Sequence, residues 1–232
     1  MKNLKYTLLL LILTLTSCDN RLSNYYNSQA EKLEAEGKYE EAIVLLDKAI
    51  KKNPQNLYAL INRGVDKSFL EDYEGAIEDY TKIIEIDTNN ALAYLNRGKN
   101  KARLGDYLAA IEDFNKALKI KKFHNEIGVY FETLRNSSLP FTNNSNVSEF
   151  DVDIEEILFA RGYARYNIDS LTLAFNDFYF CVQENFEPAK SYGMIGVIYF
   201  ACGDMENAYL YLNKARMLGD SDAEEMISKY WK

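Results

Sequence analysis

Two abutting stretches of 34 residues, 57–90 and 91–124, read alike when one is laid over the other. Ile61-Asn62-Arg63-Gly64 falls on Leu95-Asn96-Arg97-Gly98, and Ala76-Ile77-Glu78-Asp79-Tyr80 falls on Ala110-Ile111-Glu112-Asp113-Phe114. Self-similarity at a fixed period constrains the fold more than local propensity does. Each block is one supersecondary unit that cannot bury its apolar face alone, so neighbouring blocks must stack. With positions counted from 1 to 34, Gly64 stands at 8 and Ala76 at 20. The same frame runs back over 23–56 and resumes over 155–188 and 189–222, after a 30-residue interruption at 125–154.

The spacing has a mechanical reading. Each block is expected to form two antiparallel helices, at about positions 1–14 and 18–31. Small residues at 8, 20 and 27 would let the helices approach, while larger ones at 4, 11, 17 and 24 fill the gaps. Gly37, Gly105 and Gly203, at position 15, suit a left-handed helix end. Glu71 and Asp169 replace that glycine, so differently built turns are expected there. Arg at 7 and Asp at 23 occur together in blocks two to four (Arg63/Asp79, Arg97/Asp113, Arg161/Asp177) and are both missing from blocks one and five. That pattern predicts an Arg–carboxylate pair joining the two helices. Copying of both residues in a recent duplication would leave the same trace.

This period, with its Gly/Tyr/Ala/aromatic spacing, resembles the tetratricopeptide repeat family. The resemblance implies an all-α fold, a right-handed α-solenoid of helix-turn-helix repeats, with three repeats over 23–124, two over 155–222 and a capping helix over 223–232. In that helix Met226, Tyr230 and Trp231 would cover block five. It also implies a concave face lined by first-helix positions 2, 5, 6, 9, 12 and 13, on which such proteins hold a protein or peptide partner. Carried onto this chain, those and adjacent first-helix positions give Asn62, Asn96, Lys99 and Arg103 in the middle. An aromatic stretch of Phe159, Tyr163, Tyr166 and Phe200 follows, with Val197 beside it. Asn27, Glu31 and Glu34 make the N-terminal lining polar and partly acidic. Ile61, Val65 and Leu95 stand where a carboxylate clamp needs polar or basic groups, so no chaperone-tail clamp is expected. The competing reading of the aromatics is core between neighbouring repeats. Asp66 and Asn100, at the usually apolar position 10, are either polar bridges between repeats or part of the binding face.

The N-terminus carries Lys2 and Lys5, an apolar run from Leu8 to Leu15, and then Thr16-Ser17-Cys18. The run is too short to span a bilayer but suits a signal-peptide core. Leu15, Ser17 and Cys18 resemble a bacterial lipoprotein cleavage box. That resemblance implies a signal peptide at 1–17, a lipidated Cys18 and a short extended tether at 18–22. The mature protein would then be lipid-anchored in a bacterial cell envelope, at the inner or outer membrane, facing the periplasm or the cell surface. The alternative is an ordinary signal peptide cut elsewhere. Within the 125–154 insertion, 125–135 suits a helix, the polar run around Asn143-Asn144-Ser145-Asn146 reads as loop, and Ser148 with Asp151 suits a capping box.

Composition narrows the function classes. The formal net charge is −8, which argues against a nucleic-acid partner, since such proteins carry a basic stripe. The single His124 and the three cysteines show no metal-ligand spacing, and no phosphate loop or nucleophile elbow is present. No cofactor, metal or catalytic residue is therefore expected. Cys181 and Cys202 are either bridged or small core thiols. The leading expectation is a membrane-tethered interaction scaffold; the alternative is a nutrient- or glycan-binding lipoprotein that uses its 18 tyrosines for stacking.

Overall fold

A computed structural model describes the backbone of residues 2–135 and 152–231, and the side chains of 19–121 and 152–231. The described residues form eleven helices in chain order. These are α1 (Lys2–Ala35), α2 (Tyr39–Lys52), α3 (Leu57–Phe69), α4 (Tyr73–Ile86), α5 (Ala91–Arg103) and α6 (Tyr107–Arg135), then α7 (Ile154–Asn167), α8 (Leu171–Gln183), α9 (Pro188–Ala201), α10 (Met205–Met217) and α11 (Ser221–Tyr230). They divide into two compact units, Met1–Asn100 and Lys101–Lys232. Within the first unit α1, α2, α3 and α4 pack in sequence; within the second, α6 through α11 do the same. This is the all-α hairpin stacking expected from the repeat.

Several helices start where short polar side chains satisfy free backbone N–H groups. Asp72, Asp106 and Asp204, each at position 16, accept from the backbone three residues on at 3.0, 3.2 and 3.1 Å. Asn56 and Asn90, at position 34, cap the next block in the same way. Inside each hairpin the small positions do what the spacing requires. Ala42, Ala76, Ala110, Ala174 and Ala208, all at position 20, are wholly buried. Gly64 faces the Tyr80 ring so closely that a Cβ there would stand 2.9 Å from it, and a Cβ at Gly196 would meet the Leu212 backbone nitrogen at 2.9 Å. Position 8 is thus the contact point of the two helices, packed against position 24.

Three sequence expectations are corrected. Glu71 and Asp169 do not change the turn: their φ values of 62° and 61° match the left-handed glycines Gly37, Gly105 and Gly203. They also make the same bonds, since Asp72 N–H donates to Lys67 O at 2.8 Å and Ser170 N–H to Arg165 O at 2.9 Å, as Lys38 N–H does to Leu33 O. The turn is dictated by the two helices it joins, and the non-glycine residues are strained into it. Glu71→Gly should therefore stabilise the first unit by about 1 kcal/mol, and Asp169→Gly the second by somewhat less, because Asp tolerates this region better. Urea midpoints of the two variants check this, and an unchanged or lower midpoint for Glu71→Gly contradicts it.

The second correction concerns the tether. Residues 19–22 lie within α1 rather than in an extended link, and Asp19 pairs with Lys52 at 3.1 Å. Third, Cys181 and Cys202 are both free thiols, and only Cys181 is buried. The α7 helix begins at Ile154 with Asp153 at its N-cap position, while the capping box expected at Ser148 and Asp151 lies outside the described residues. The 125–135 stretch is helical as expected, but as an unbroken continuation of α6. Met1–Cys18, His124 and the segment 136–151 lie outside the residues whose side chains are described.

In blocks two and four an Arg–carboxylate pair joins the two helices as predicted, and with more members. Asp79 accepts from Arg63 Nε at 3.0 Å and from its Nη2, and Lys67 Nζ lies 2.9 Å away. Asp177 accepts from Arg161 at 3.0 and 2.7 Å and from Arg165 at 2.7 Å. Asp113 takes Lys101 at 2.7 Å. Lys67, Lys101 and Arg165 all stand at position 11. Position 25 of the preceding block supplies a further acceptor, Asp47 for Arg63 at 2.6 Å, Thr81 for Arg97 at 3.1 Å and Asn115 for Arg161 at 2.7 Å. In block five, positions 7, 11 and 23 hold Ile195, Tyr199 and Tyr211, and the two tyrosine rings stack at 5.4 Å. The same three positions carry a polar bracket in blocks two and four and an aromatic stack in block five.

Candidate functional site

The C-terminal lining residues do not act as one surface. Phe159 and Tyr163 on α7 line a cavity of about 310 Å³ with Met194 and Val197 on α9, Leu212 on α10 and Met226 on α11. Lys190, Gly193, Asp220, Asp222 and Ala223 complete its wall. Tyr163 is 49% exposed there. Phe159 divides its surface, meeting Phe178 edge-on at 5.5 Å and Phe186 at 6.2 Å on its other side. Tyr166 packs into the core around Ala174 and Phe178. Phe200 lies under the C-terminal cap, 4.8 Å from the Tyr230 ring and 5.9 Å from Trp231. Tyr166 and Phe200 are thus repeat packing, while Phe159 and Tyr163 are brought together over open space.

A Cβ on Gly193 would stand 2.7 Å from Asp220 Oδ2, so glycine lets the loop before α11 lie close to α9. Asp220 Oδ1 in turn accepts from the backbone of Asp222 and Ala223, both at 3.0 Å, and starts α11. The α11 helix then buries Ala223 and Ile227 against Leu212 and Ala215, with Met226 and Trp231 packed beside them. Met226 and Trp231 thus cover block five as expected, whereas Tyr230 remains largely exposed. Lys190 is held by Glu187 at 3.0 Å at the rim.

In the first unit the asparagines are committed to the protein itself. Asn62 Nδ2 donates to Asn27 Oδ1 at 3.4 Å, and Asn27 Nδ2 to Glu31 at 2.9 Å. Asn96 bonds the Tyr80 phenol, whose pKa is pushed up by burial and then by Asp79. Lys99 is half-buried in the same unit, whereas Arg103 is exposed at the end of α5 in the second. Asn100 settles one alternative: it accepts from Ser68 Oγ at 2.9 Å and donates to Asn96 O at 2.8 Å, bridging blocks two and three. Asp66 is different. It is 1% exposed, its Oδ2 has no hydrogen-bond partner, and burial with Glu34 nearby pushes its pKa up to about 7. Cys181 is inert, its thiol donating to Glu155 O at 3.4 Å and pushed up to about 12 by burial.

No helix among the described residues is long and apolar enough to cross a membrane. Nor do they place three or more His, Cys, Asp or Glu side chains to hold a metal.

Helical hairpins nested at small-residue contacts, with first-helix side chains left facing an open cavity, define an α-solenoid repeat protein. Residues 58–90, 91–124 and 189–215 match the tetratricopeptide repeat model, so these three stretches are similar to repeats of that family. No curated protein matches it in sequence. Among solved structures, a MamA fragment (41-end) from Desulfovibrio magneticus RS-1 is similar at a TM-score of 0.67 and 15% identity, over 86% of this chain and 96% of that one. YrrB, described as a TPR protein with an unusual peptide-binding site, is similar at 0.63 and 19% identity, over 88% and 90%. PilW, described as a widely conserved type IV pilus biogenesis factor, is similar at 0.63 and 16% identity, over 91% and 94%. At these identities the likeness is one of fold.

Proposed function

We propose that this chain is an interaction scaffold that holds a polypeptide segment on the first-helix face of its repeats, tethered to a membrane through Cys18. The observation that carries the reading is the cavity walled by Phe159, Tyr163, Met194 and Val197. It combines open space with apolar side chains from two successive repeats, as recognition of an extended or helical segment requires. Its residues come from the positions that line the binding face in this family, and a structure of similar fold, YrrB, is described as having a peptide-binding site. The tether rests on the N-terminal pattern alone: a charged start, a short apolar run and a cysteine in a small-residue context. Several acyl chains on that cysteine would anchor the protein without a spanning helix.

A photo-crosslinking residue at Tyr163 should capture a polypeptide in intact cells, whereas one at the exposed Lys82 on α4 should not. Equal capture from both positions, or none from Tyr163, counts against the scaffold. Cys18→Ser should release the protein from membranes into the soluble fraction; retention and unchanged cleavage would refute the anchor.

A further inference from the structure

The cavity in the second unit has a chemical polarity that its apolar walls conceal. Asp220, Asp222 and Lys190 are all part of its lining, and Lys190 pairs with Glu187 at 3.0 Å, so the carboxylates outnumber the ammonium. The N-terminus of α11 offers no compensating attraction for an anion, because Asp220 Oδ1 already accepts from its first free N–H groups. The other oxygen of that carboxylate lies against Gly193, 2.7 Å from where a Cβ would stand. An apolar group entering between Phe159, Val197 and Met226 would bring whatever follows it to these acids.

We infer that the segment held here carries a large apolar side chain followed directly by basic residues, the apolar group filling the cavity and the cations meeting Asp220 and Asp222. This deepens the scaffold reading and rests on it. A volume of about 310 Å³ lies at the low end of small-molecule pockets, which suits one or two side chains rather than a whole ligand. The acids select the neighbour of the anchor, and the net charge of −8 on the chain favours approach of a basic segment at low salt.

The test uses the purified full chain and three fluorescein-labelled peptides in one Gly/Ser frame, with Phe-Lys-Lys, Phe-Glu-Glu or Ser-Lys-Lys at the centre. By fluorescence anisotropy, Phe-Lys-Lys should bind about tenfold tighter than either of the others. The double variant Asp220→Asn/Asp222→Asn should bring Phe-Lys-Lys and Phe-Glu-Glu to within about twofold of each other. Asparagine caps a helix as well as aspartate does, so α11 should persist, and an unchanged melting temperature verifies it. Equal binding of Phe-Lys-Lys and Phe-Glu-Glu to the wild type overturns the inference. So does equal binding of Phe-Lys-Lys and Ser-Lys-Lys, which would reduce it to surface charge. If no peptide binds while the Tyr163 crosslinker still captures a partner, the charge preference is wrong and the scaffold reading stands.

Discussion

Replacing Asp177 with alanine should destabilise the second unit by about 3–5 kcal/mol, the usual cost of stripping one partner from a buried ion pair. The carboxylate is 4% exposed and receives three charge-assisted hydrogen bonds, two from Arg161 and one from Arg165. Without it, two guanidinium groups would face each other with their side chains only 15% exposed. The pKa of Arg165 already lies below its ordinary value, chiefly through burial, with the like charge of Arg161 adding to the effect. Only the aspartate offsets that repulsion. A fall in thermal midpoint of roughly 10 °C should follow for a unit of this size. Asp177→Asn keeps both acceptor geometry and volume and should cost less. Block five shows a second solution at the same three positions, in Ile195, Tyr199 and Tyr211. The triple variant Arg161→Ile/Arg165→Tyr/Asp177→Tyr should therefore recover most of the loss, since apolar replacement of a buried ionic cluster is often neutral when the new groups pack. Calorimetry of the three variants decides the matter. An Asp177→Ala midpoint within 2 °C of wild type (roughly 1 kcal/mol or less) would mean that the bracket is an ordinary surface pair.

That bracket also marks how far the sequence could be read. Position 7 with position 23 was visible because both residues vary together between blocks. The cation at position 11 was hidden because it changes type, lysine in blocks two and three and arginine in block four, and because Tyr199 replaces it with a ring. The acceptor at position 25 was harder still, since Asp47, Thr81 and Asn115 share only an oxygen. Close packing was legible, because a glycine or alanine recurring at one position of every block marks where a neighbouring helix leaves no room for a larger side chain. The turns at Glu71 and Asp169 misled for the opposite reason: local preference argues against φ > 0, and the tertiary demand of the hairpin overrides it. Aromatic lining and aromatic core could not be separated at all by spacing. Tyr163 and Tyr166 lie on neighbouring turns of one helix, yet the first borders a cavity and the second is packed against Phe178. Only the placement of α11 decides which first-helix residues of blocks four and five stay uncovered, and α11 is positioned by a cap at Asp220 that lies two residues off the repeat frame.

Asp66 should make the stability of the first unit fall as pH rises, the reverse of what a salt-bridged carboxylate does. Its side chain is buried with one oxygen unpartnered, and its neighbours supply no counter-charge. Glu34 on α1 faces it and is itself pushed up by burial and by Glu31. From α4, Tyr80 contributes a phenol whose ionisation Asp79 and Asp66 both oppose. The ionised form is thus disfavoured from each side, and the folded protein keeps the proton up to pH of about 7, whereas an unfolded aspartate releases it near pH of about 4. A folded pKa above the unfolded one contributes stability that is fully present below pH of about 4 and is lost as pH rises through about 7. The full span is worth about 4 kcal/mol, as an upper bound if the carboxylate finds no new partner on ionising. Other acids respond in their own ways, so the informative quantity is the difference between wild type and Asp66→Asn, which cannot ionise at this site. Urea unfolding of the two proteins from about pH 4 to about pH 8 should show Asp66→Asn gaining on wild type steadily above about pH 5, by several kcal/mol at the upper end. The gap should level off above about pH 7, where the carboxyl is ionised in both the folded and the unfolded protein. A difference that does not change with pH would mean that Asp66 holds its proton no more tightly in the folded protein than in the unfolded chain.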